Sequence, residues 1–122
     1  MSFGLRLSPE ATRSIEDQLR WYEASELNGG VELADRWTNL LEAALDALCE
    51  HPERHGFAPE NGRWMPSVSI RQMRFKPWKT PSAWRVLYTI DDQAKLVTVL
   101  QVRHEKRPLL PDDKRSGNVP AS

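Results

Sequence analysis

The sequence lacks the features that disulfide-rich, secreted or membrane-spanning proteins need. Among its 122 residues there is one cysteine, so no internal disulfide can form. No apolar run approaches the roughly 18 residues of a membrane-spanning helix. The stretch MSFGLRLSPE has no basic segment followed by an apolar one, as a secretory signal would. These absences predict a cytoplasmic protein that makes no membrane contact, and Cys49, inside the apolar pattern LLEAALDALCE, is predicted to be a buried thiol.

Residue spacings that hold metals, phosphates or covalent intermediates are missing as well. The three histidines are widely separated and no cysteine pair accompanies them, which argues against zinc. Gly29 and Gly30 do not follow a strand, as the glycines of a phosphate-binding loop do. No serine or cysteine lies in a recognisable nucleophile motif. We therefore expect no metal and no cofactor.

The zero net charge conceals a strong asymmetry between the two halves of the chain. Residues 1–62 contain five arginines against twelve carboxylates, a net charge of −7. Residues 63–107 contain ten lysines and arginines against three carboxylates, a net charge of +7. This polarity predicts an anionic partner for the basic half. Mutual neutralisation of the two halves across the fold is the alternative.

The first half of the sequence predicts one strand and two helices. FGLRLS alternates apolar and polar residues, as a strand does. SPEA starts a helix, because Ser8 can cap it and Pro9 fits the first position, and apolar spacing carries this helix to about Ser25. LNGG ends it, and a second apolar stripe predicts a helix from residue 31 to residue 50, ending before HPERHG.

The second half predicts three strands, SVSIRQMRF, SAWRVLYTI and KLVTVLQVR, with DDQA as a tight turn before the last. The resulting order, β-α-α-β-β-β, predicts an α+β fold in which a helical hairpin packs on one face of a mainly antiparallel sheet. Residues 1–107 form one domain in this prediction. Residues 108–122 form a flexible C-terminal tail, with Leu109 and Leu110 pinning its start.

Basic side chains recur along the predicted sheet. Arg85 lies in the middle of AWRVLYTI, where an unpaired charge would be costly to bury, and Arg71 occupies a similar place in VSIRQM. We expect one concave cationic surface that binds phosphates or an acidic peptide. Its members are Arg71, Arg74, Lys76, Lys79, Arg85, Arg103, His104, Lys106 and Arg107.

Structural roles remain open for each of these side chains. Arg71 and Arg85 can instead form salt bridges to the acidic helices, and the two lysines can lie in an exposed loop. His104 can exchange a proton near neutral pH, or can be a structural histidine bonded to a backbone carbonyl. Trp64 and Trp78, in loops beside basic residues, can stack on bases, close a core or dock a partner.

Taken in order, LSPEATRSIEDQLRWY, ADRWTNLLEAALDALCEHPERHG, IRQM, WRVLYTI and VTVLQVRHEKR resemble the RelE/ParE superfamily of bacterial toxins. The resemblance covers about Leu5 to Arg107. It implies the growth-inhibiting toxin of a type II toxin–antitoxin system, of the kind that stabilises plasmids. It also implies a cognate antitoxin that wraps the toxin and often covers the basic sheet face, with operator DNA contacted only through the complex.

Members of the superfamily act by one of two mechanisms. The resemblance implies different roles for the basic residues under each mechanism. RelE-like members cut mRNA on the ribosome; Arg85 and His104 would then be catalytic, with Arg71 or Arg107 holding a phosphate. ParE-like members inhibit DNA gyrase and need no nuclease site, so the basic residues would contact an acidic partner. These contacts would come from Arg71, Arg74, Arg103, Lys106 and Arg107.

Three features favour the ParE-like branch, and therefore a protein that is not an enzyme. RelE-type chains usually have a tyrosine near the C-terminus, whereas no tyrosine follows Tyr88 here. The long helical hairpin and the ending V.H..R are more typical of ParE-like chains. A third interpretation is a non-toxic module that only binds an antitoxin or regulates DNA.

Overall fold

The secondary structure follows the predicted order β-α-α-β-β-β in a computed structural model that describes residues 2–79 and 83–110. The elements are β1 (Gly4–Leu7), α1 (Pro9–Glu23), α2 (Gly30–Glu50), β2 (Arg71–Phe75), β3 (Trp84–Asp91) and β4 (Leu96–His104). One 3-10 turn follows each helix, at Glu26–Asn28 and Pro52–Arg54. The predicted α+β fold is confirmed. The stretch SVSIRQMRF contributes a strand only in its second half.

A side-chain cap starts α1, and the cap of the following 3-10 turn limits its end. The Ser8 hydroxyl accepts a hydrogen bond from the Ala11 amide at 3.0 Å, as predicted, and donates one to the Leu100 carbonyl of β4 at 3.0 Å. The helix ends at Glu23, two residues before the predicted end, because Ser25 takes an extended conformation and its hydroxyl accepts from the Leu27 amide. A serine that caps the following turn cannot also continue the helix.

The link between the helices depends on Gly29. Its φ angle is 118°, a conformation that only glycine adopts readily. A side-chain carbon at this position would lie 2.3 Å from a methyl carbon of Leu33. The close return of α2 against α1 therefore requires a glycine here.

The sheet has the strand order β1-β4-β3-β2. β1 runs parallel to β4, and the β4–β3 and β3–β2 pairs are antiparallel, in agreement with a mainly antiparallel sheet. A register shift between Leu87 and Tyr88 interrupts the β3–β4 ladder. The turn DDQA is closed by the Asp91 carboxylate, which accepts from the amides of Gln93 and Ala94.

Both faces of the sheet are covered, and only one of them by helices. On the helix side, the fully buried Trp37 makes edge-on or tilted contacts with the rings of Tyr22, Phe75 and Trp84. On the other side, the loop after α2 and the end of the described chain cover a second, smaller core. It consists of Ala58, Ile70, Leu87 and Leu100, with Trp64, Met65, Val68 and Leu110 packed against it.

This second core explains two of the sequence features. Trp64 packs against it, so this loop tryptophan closes a core, as one of the interpretations holds. Leu110 packs there as well, whereas Leu109 is 48% exposed. The tail predicted for residues 108–122 lies outside the described residues from residue 111 onward, and its flexibility stays a prediction.

The single cysteine is buried in the helix-side core, as predicted. Burial, together with the charges of Asp46 and Glu50, raises the pKa of the Cys49 thiol. The thiol is therefore poorly reactive in the folded protein.

Tyr88 should make the protein sensitive to alkali. Its buried hydroxyl donates to the Pro52 carbonyl at 2.6 Å, and burial raises its pKa to about 12. In the unfolded chain the tyrosine loses its proton near pH 10. Between about pH 10 and pH 12 ionisation therefore favours unfolding, by roughly 2–3 kcal/mol when complete.

Urea unfolding of the wild type and of Tyr88→Phe at about pH 9 and pH 11.5 measures this loss. Burial also raises the pKa of Tyr22, the other tyrosine, so the variant should retain a smaller alkaline loss. Equal losses of stability in the wild type and in Tyr88→Phe over this pH range would contradict the assignment of the alkaline sensitivity to Tyr88.

Candidate functional site

The sheet distributes the predicted basic surface over its two faces. Arg74 pairs with Arg85 and Arg85 with Arg103 across the strands, so three arginines stand side by side on the face opposite the helices. We call these three residues the arginine row. Arg71 and His104 pair with Tyr88 and Trp84, both on the helix side. The prediction of one concave surface is therefore wrong, because neighbouring strand positions point to opposite faces.

Arg85, at the centre of the row, is neutralised. Its two terminal nitrogens donate to the two carboxylate oxygens of Glu60, at 2.9 and 2.6 Å, and the first also donates to the Gln72 side-chain oxygen at 2.8 Å. Arg85 is 5% exposed and Glu60 1%. A salt bridge is one of the two roles expected for Arg85, but its partner comes from the loop after α2 and not from the helices.

Glu60 is the functional residue that sequence reasoning missed. Burial alone would raise the pKa of its carboxyl group, but hydrogen bonds from Arg85 and from the Leu110 amide lower it, and the net shift is downward. One signal was available in the sequence, since Glu60 is the last carboxylate before Asp91. β2 contains no acid, and the only acid of β3 is Asp91 at its far end, six residues from Arg85.

Arg103, the third arginine of the row, is buried without a carboxylate partner among the described residues. Its terminal nitrogens donate to the Gln101 side chain at 3.1 Å and to the Pro108 carbonyl at 2.8 Å. Its Nε has no acceptor within the described part of the chain. Burial, followed by the charges of Arg107 and Arg85, lowers the pKa of the Arg103 guanidinium.

Residues 108–110 lie over the arginine row. The Leu110 amide donates to Glu60 at 3.1 Å, and the Pro108 carbonyl accepts from Arg103. These two bonds attach residues 108–110 to the same face as the row. A ligand that reached Arg85 or Arg103 from that side would have to displace this segment.

The outer basic residues differ in their surroundings. Arg74 is bonded to Glu105 at 2.9 Å, with more than half of its side chain exposed. Lys106 and Arg107 are exposed in the turn after β4, and Lys76 and Lys79 are exposed before residue 80, as the loop interpretation predicts.

Arg71 holds the loop after α2. Its guanidinium donates to the backbone carbonyls of Glu53 and His55 and lies 4.5 Å from the centre of the Phe57 ring. Arg71 and Arg74 therefore do not share a surface, and the expectation that they do is wrong. Their odd spacing along β2 puts them on opposite faces.

His104 lies at the wall of an aromatic cavity on the helix side. Its ring stands edge-on to Trp84, with 5.1 Å between centroids, and its Nδ1 accepts from the Lys106 amide at 3.2 Å. The structural interpretation of His104 expected a bond to a backbone carbonyl, whereas in this bond the partner is a backbone N–H. Trp78 lines the same cavity, in contact with Tyr22 and Trp84.

The described residues place the two side chains of the predicted nuclease site on opposite faces of the sheet. Arg85 is committed to Glu60, and His104 belongs to the aromatic cavity. Within residues 2–79 and 83–110 no three His, Cys, Asp or Glu side chains lie close enough to hold a metal ion. Neither described helix has the length and apolarity to cross a bilayer.

A family model described as "ParE toxin of type II toxin-antitoxin system, parDE" matches residues 5–109. Among solved structures, the chromosomal ParDE toxin–antitoxin system from P. aeruginosa is similar with a TM-score of 0.60 and 12% identity, covering 84% of this chain and 96% of that one. The toxin–antitoxin complex RelBE2 from Mycobacterium tuberculosis is similar with a TM-score of 0.52 and 19% identity, covering 85% and 99%. At these identities the two structures establish a shared fold. Comparison with curated protein sequences gave no match.

Proposed function

The chain belongs to the family of ParE toxins of type II toxin–antitoxin systems, and we propose that it arrests growth by inhibiting DNA gyrase. Two neighbours of the same fold come from toxin–antitoxin systems, which supports a cognate antitoxin as partner. Neutralisation of the growth arrest by that antitoxin is part of the proposal.

The main support for gyrase inhibition is the neutralisation of Arg85 by Glu60, which argues against a nuclease. A nuclease of this superfamily would need a cation that faces the phosphate while charge develops on it. Both terminal nitrogens of Arg85 instead donate hydrogen bonds to the carboxylate of Glu60, which is 1% exposed. Its charge is already balanced, so a phosphate would have to compete with Glu60 in a buried site.

The position of His104 supports the same mechanism. A general acid or base acts within hydrogen-bond reach of the reacting atom. His104 points to the helix side, whereas the arginine row points to the other side. Proton transfer by His104 and phosphate binding by Arg85 therefore require two different surfaces of one sheet.

Under this proposal the exposed basic residues contact an acidic surface and perform no chemistry. Arg74, Lys106 and Arg107 lie at the end of the sheet where β4 finishes and retain exposed side chains. Arg103 contributes positive potential from a buried position. Such contacts act mainly on association rate and weaken with added salt.

Growth arrest by a His104→Gln variant separates gyrase inhibition from mRNA cleavage. Glutamine keeps a polar group of similar size but cannot transfer protons. We expect the variant to arrest growth as the wild type does, because gyrase inhibition needs no proton transfer. A nuclease would lose a factor of about 10² to 10⁴ in cleavage rate.

The measurement is growth after induced expression without the antitoxin, at matched protein levels. Gln93→Ala, in the turn before β4, is a control for a neutral amide change elsewhere. Restored growth with a folded His104→Gln protein would contradict the gyrase proposal and support the nuclease. Normal growth with the wild type would contradict toxicity of either kind.

A further inference from the structure

The connection between α1 and α2 exposes two large apolar side chains to solvent. Leu27 is 97% exposed and Val31 is 58% exposed. Neither side chain belongs to the helix-side core or to the second core. The fold therefore does not need an apolar residue at either position. We call residues 23–35, which contain both side chains, the hairpin tip.

Hydrogen bonds tie the backbone of the hairpin tip together. The Ser25 hydroxyl accepts from the Leu27 amide at 2.9 Å, and the Ser25 carbonyl accepts from the amides of Asn28 and Gly30 at 3.0 and 3.2 Å. The Asn28 side chain donates to the Trp21 carbonyl at 2.8 Å. A surface that is already ordered loses little conformational entropy on binding, so the turn holds Leu27 ready for a contact.

All the charged side chains of the hairpin tip are negative. It contains four carboxylates and no lysine or arginine, a local charge of −4, and these residues are Glu23, Glu26, Glu32 and Asp35. All four are exposed, and none forms an ion pair with another described residue. They flank Leu27 and Val31 on both sides in the sequence. A complementary partner surface is therefore basic around an apolar recess.

We propose that the hairpin tip docks on DNA gyrase, at a basic surface with an apolar recess that receives Leu27. An enzyme that holds DNA presents basic side chains to the phosphates, so gyrase offers the charge that complements the tip. The inference rests on the proposed gyrase inhibition and assigns part of that contact to the helical hairpin. The exposed basic residues around Arg107 contact a second, acidic surface of the same enzyme.

Leu27 and the carboxylates contribute to this contact in different ways. Burial of the Leu27 side chain removes apolar surface from water and slows dissociation of the complex. The carboxylates act mainly on the association rate, through their attraction to the basic surface. Added salt should therefore weaken the contribution of the carboxylates and leave that of Leu27 largely unchanged.

Titration of the purified toxin into a supercoiling assay, with gyrase, ATP and a relaxed plasmid, tests the surface. We expect Leu27→Ala to raise the toxin concentration for half inhibition by about tenfold, as loss of one buried leucine side chain does. Glu23→Lys should raise it by about threefold to tenfold at low salt, and by less at high salt. Both side chains are exposed, so neither change should alter folding.

Two control variants match these changes further along α2. Leu40→Ala removes a leucine side chain that is 37% exposed, and Glu42→Lys reverses an exposed charge. Both should inhibit gyrase as the wild type does. Inhibition by Leu27→Ala and Glu23→Lys within about twofold of the wild type would overturn the proposal, as would equal losses in the controls.

Two further measurements identify what the hairpin tip contacts. In calorimetric titration, the cognate antitoxin should bind Leu27→Ala as tightly as the wild type. A loss of about tenfold would overturn gyrase as the occupant and assign the tip to the antitoxin. In analytical ultracentrifugation of the toxin alone, the wild type and Leu27→Ala should have the same oligomeric state. A dimer that is lost in Leu27→Ala would overturn the proposal in favour of a second copy of this chain.

The failure of the hairpin tip is distinguishable from the failure of the proposed function. A wild type that does not inhibit supercoiling would contradict both the gyrase mechanism and the role of the tip. A wild type that inhibits supercoiling, with hairpin-tip variants that inhibit equally well, would overturn the tip alone.

Discussion

Replacing Glu60 with alanine is expected to lower the free energy of unfolding by about 3–5 kcal/mol. The change removes the carboxylate that is bonded to Arg85 and leaves a guanidinium that is 5% exposed. It also removes the acceptor of the Leu110 amide, so residues 108–110 lose a bond that attaches them to the loop after α2. Most of the loss comes from the uncompensated charge and not from the lost packing.

Urea unfolding at neutral pH measures this loss, and two further variants identify its cause. Glu42→Ala removes an exposed carboxylate from α2 and should change stability by no more than about 0.5 kcal/mol. The double variant Glu60→Leu, Arg85→Met replaces both charges with apolar groups and should recover most of the stability. A double variant as unstable as Glu60→Ala would show that the charge on Arg85 is not the cause.

The same ion pair gives the protein an acid-sensitive component of stability. The pKa of Glu60 is lower in the folded protein than its ordinary value. The stabilisation is therefore complete above the ordinary pKa of a glutamate, near 4.3, and is lost as the pH falls through the lower folded value. In Glu60→Gln this component of the acid dependence should disappear.

Local patterns in the sequence predict the elements well, because their causes are local. Ser8 and Pro9 start α1 through contacts within three residues. The alternation of Trp84, Val86 and Tyr88 with Arg85 and Leu87 assigns β3 to two faces, and the two cores confirm it.

The same alternation argued against the single basic surface. Arg103 and His104 are adjacent in β4, and Arg71 and Arg74 are three residues apart in β2, so each pair has to divide between the faces. Clustering of charges along the chain does not indicate which face of the sheet each side chain occupies. A basic run at the end of a strand does not make a basic surface when its members point in opposite directions.

The partners of the arginines were beyond local reasoning. Glu60 meets Arg85 across 25 residues of chain, and Leu110 meets Glu60 across 50. Both contacts depend on how the loop after α2 folds over the sheet. The hydrophobic periodicity of the sequence does not encode the path of that loop. The aromatic cavity beside His104 likewise forms where α1 passes the end of β4, and its aromatic members come from helices, loops and strands together.

The second large effect is expected on DNA gyrase itself. Purified protein should inhibit ATP-dependent supercoiling of a relaxed plasmid, with most of the activity lost when the toxin is in excess over gyrase. The physical reason is that the described structure offers a binding surface, the exposed basic side chains around Arg107, and neutralises the arginine that a nuclease would use. His104→Gln should inhibit to the same extent as the wild type.

The supercoiling assay is therefore the most direct test of the account. The wild type is added to gyrase with and without prior saturation by the cognate antitoxin, and in parallel to ribosomes that are translating a defined mRNA. The account predicts inhibited supercoiling that the antitoxin relieves, and intact mRNA on the ribosome. Unimpaired supercoiling together with ribosome-dependent cleavage of the mRNA, lost in His104→Gln, would contradict it.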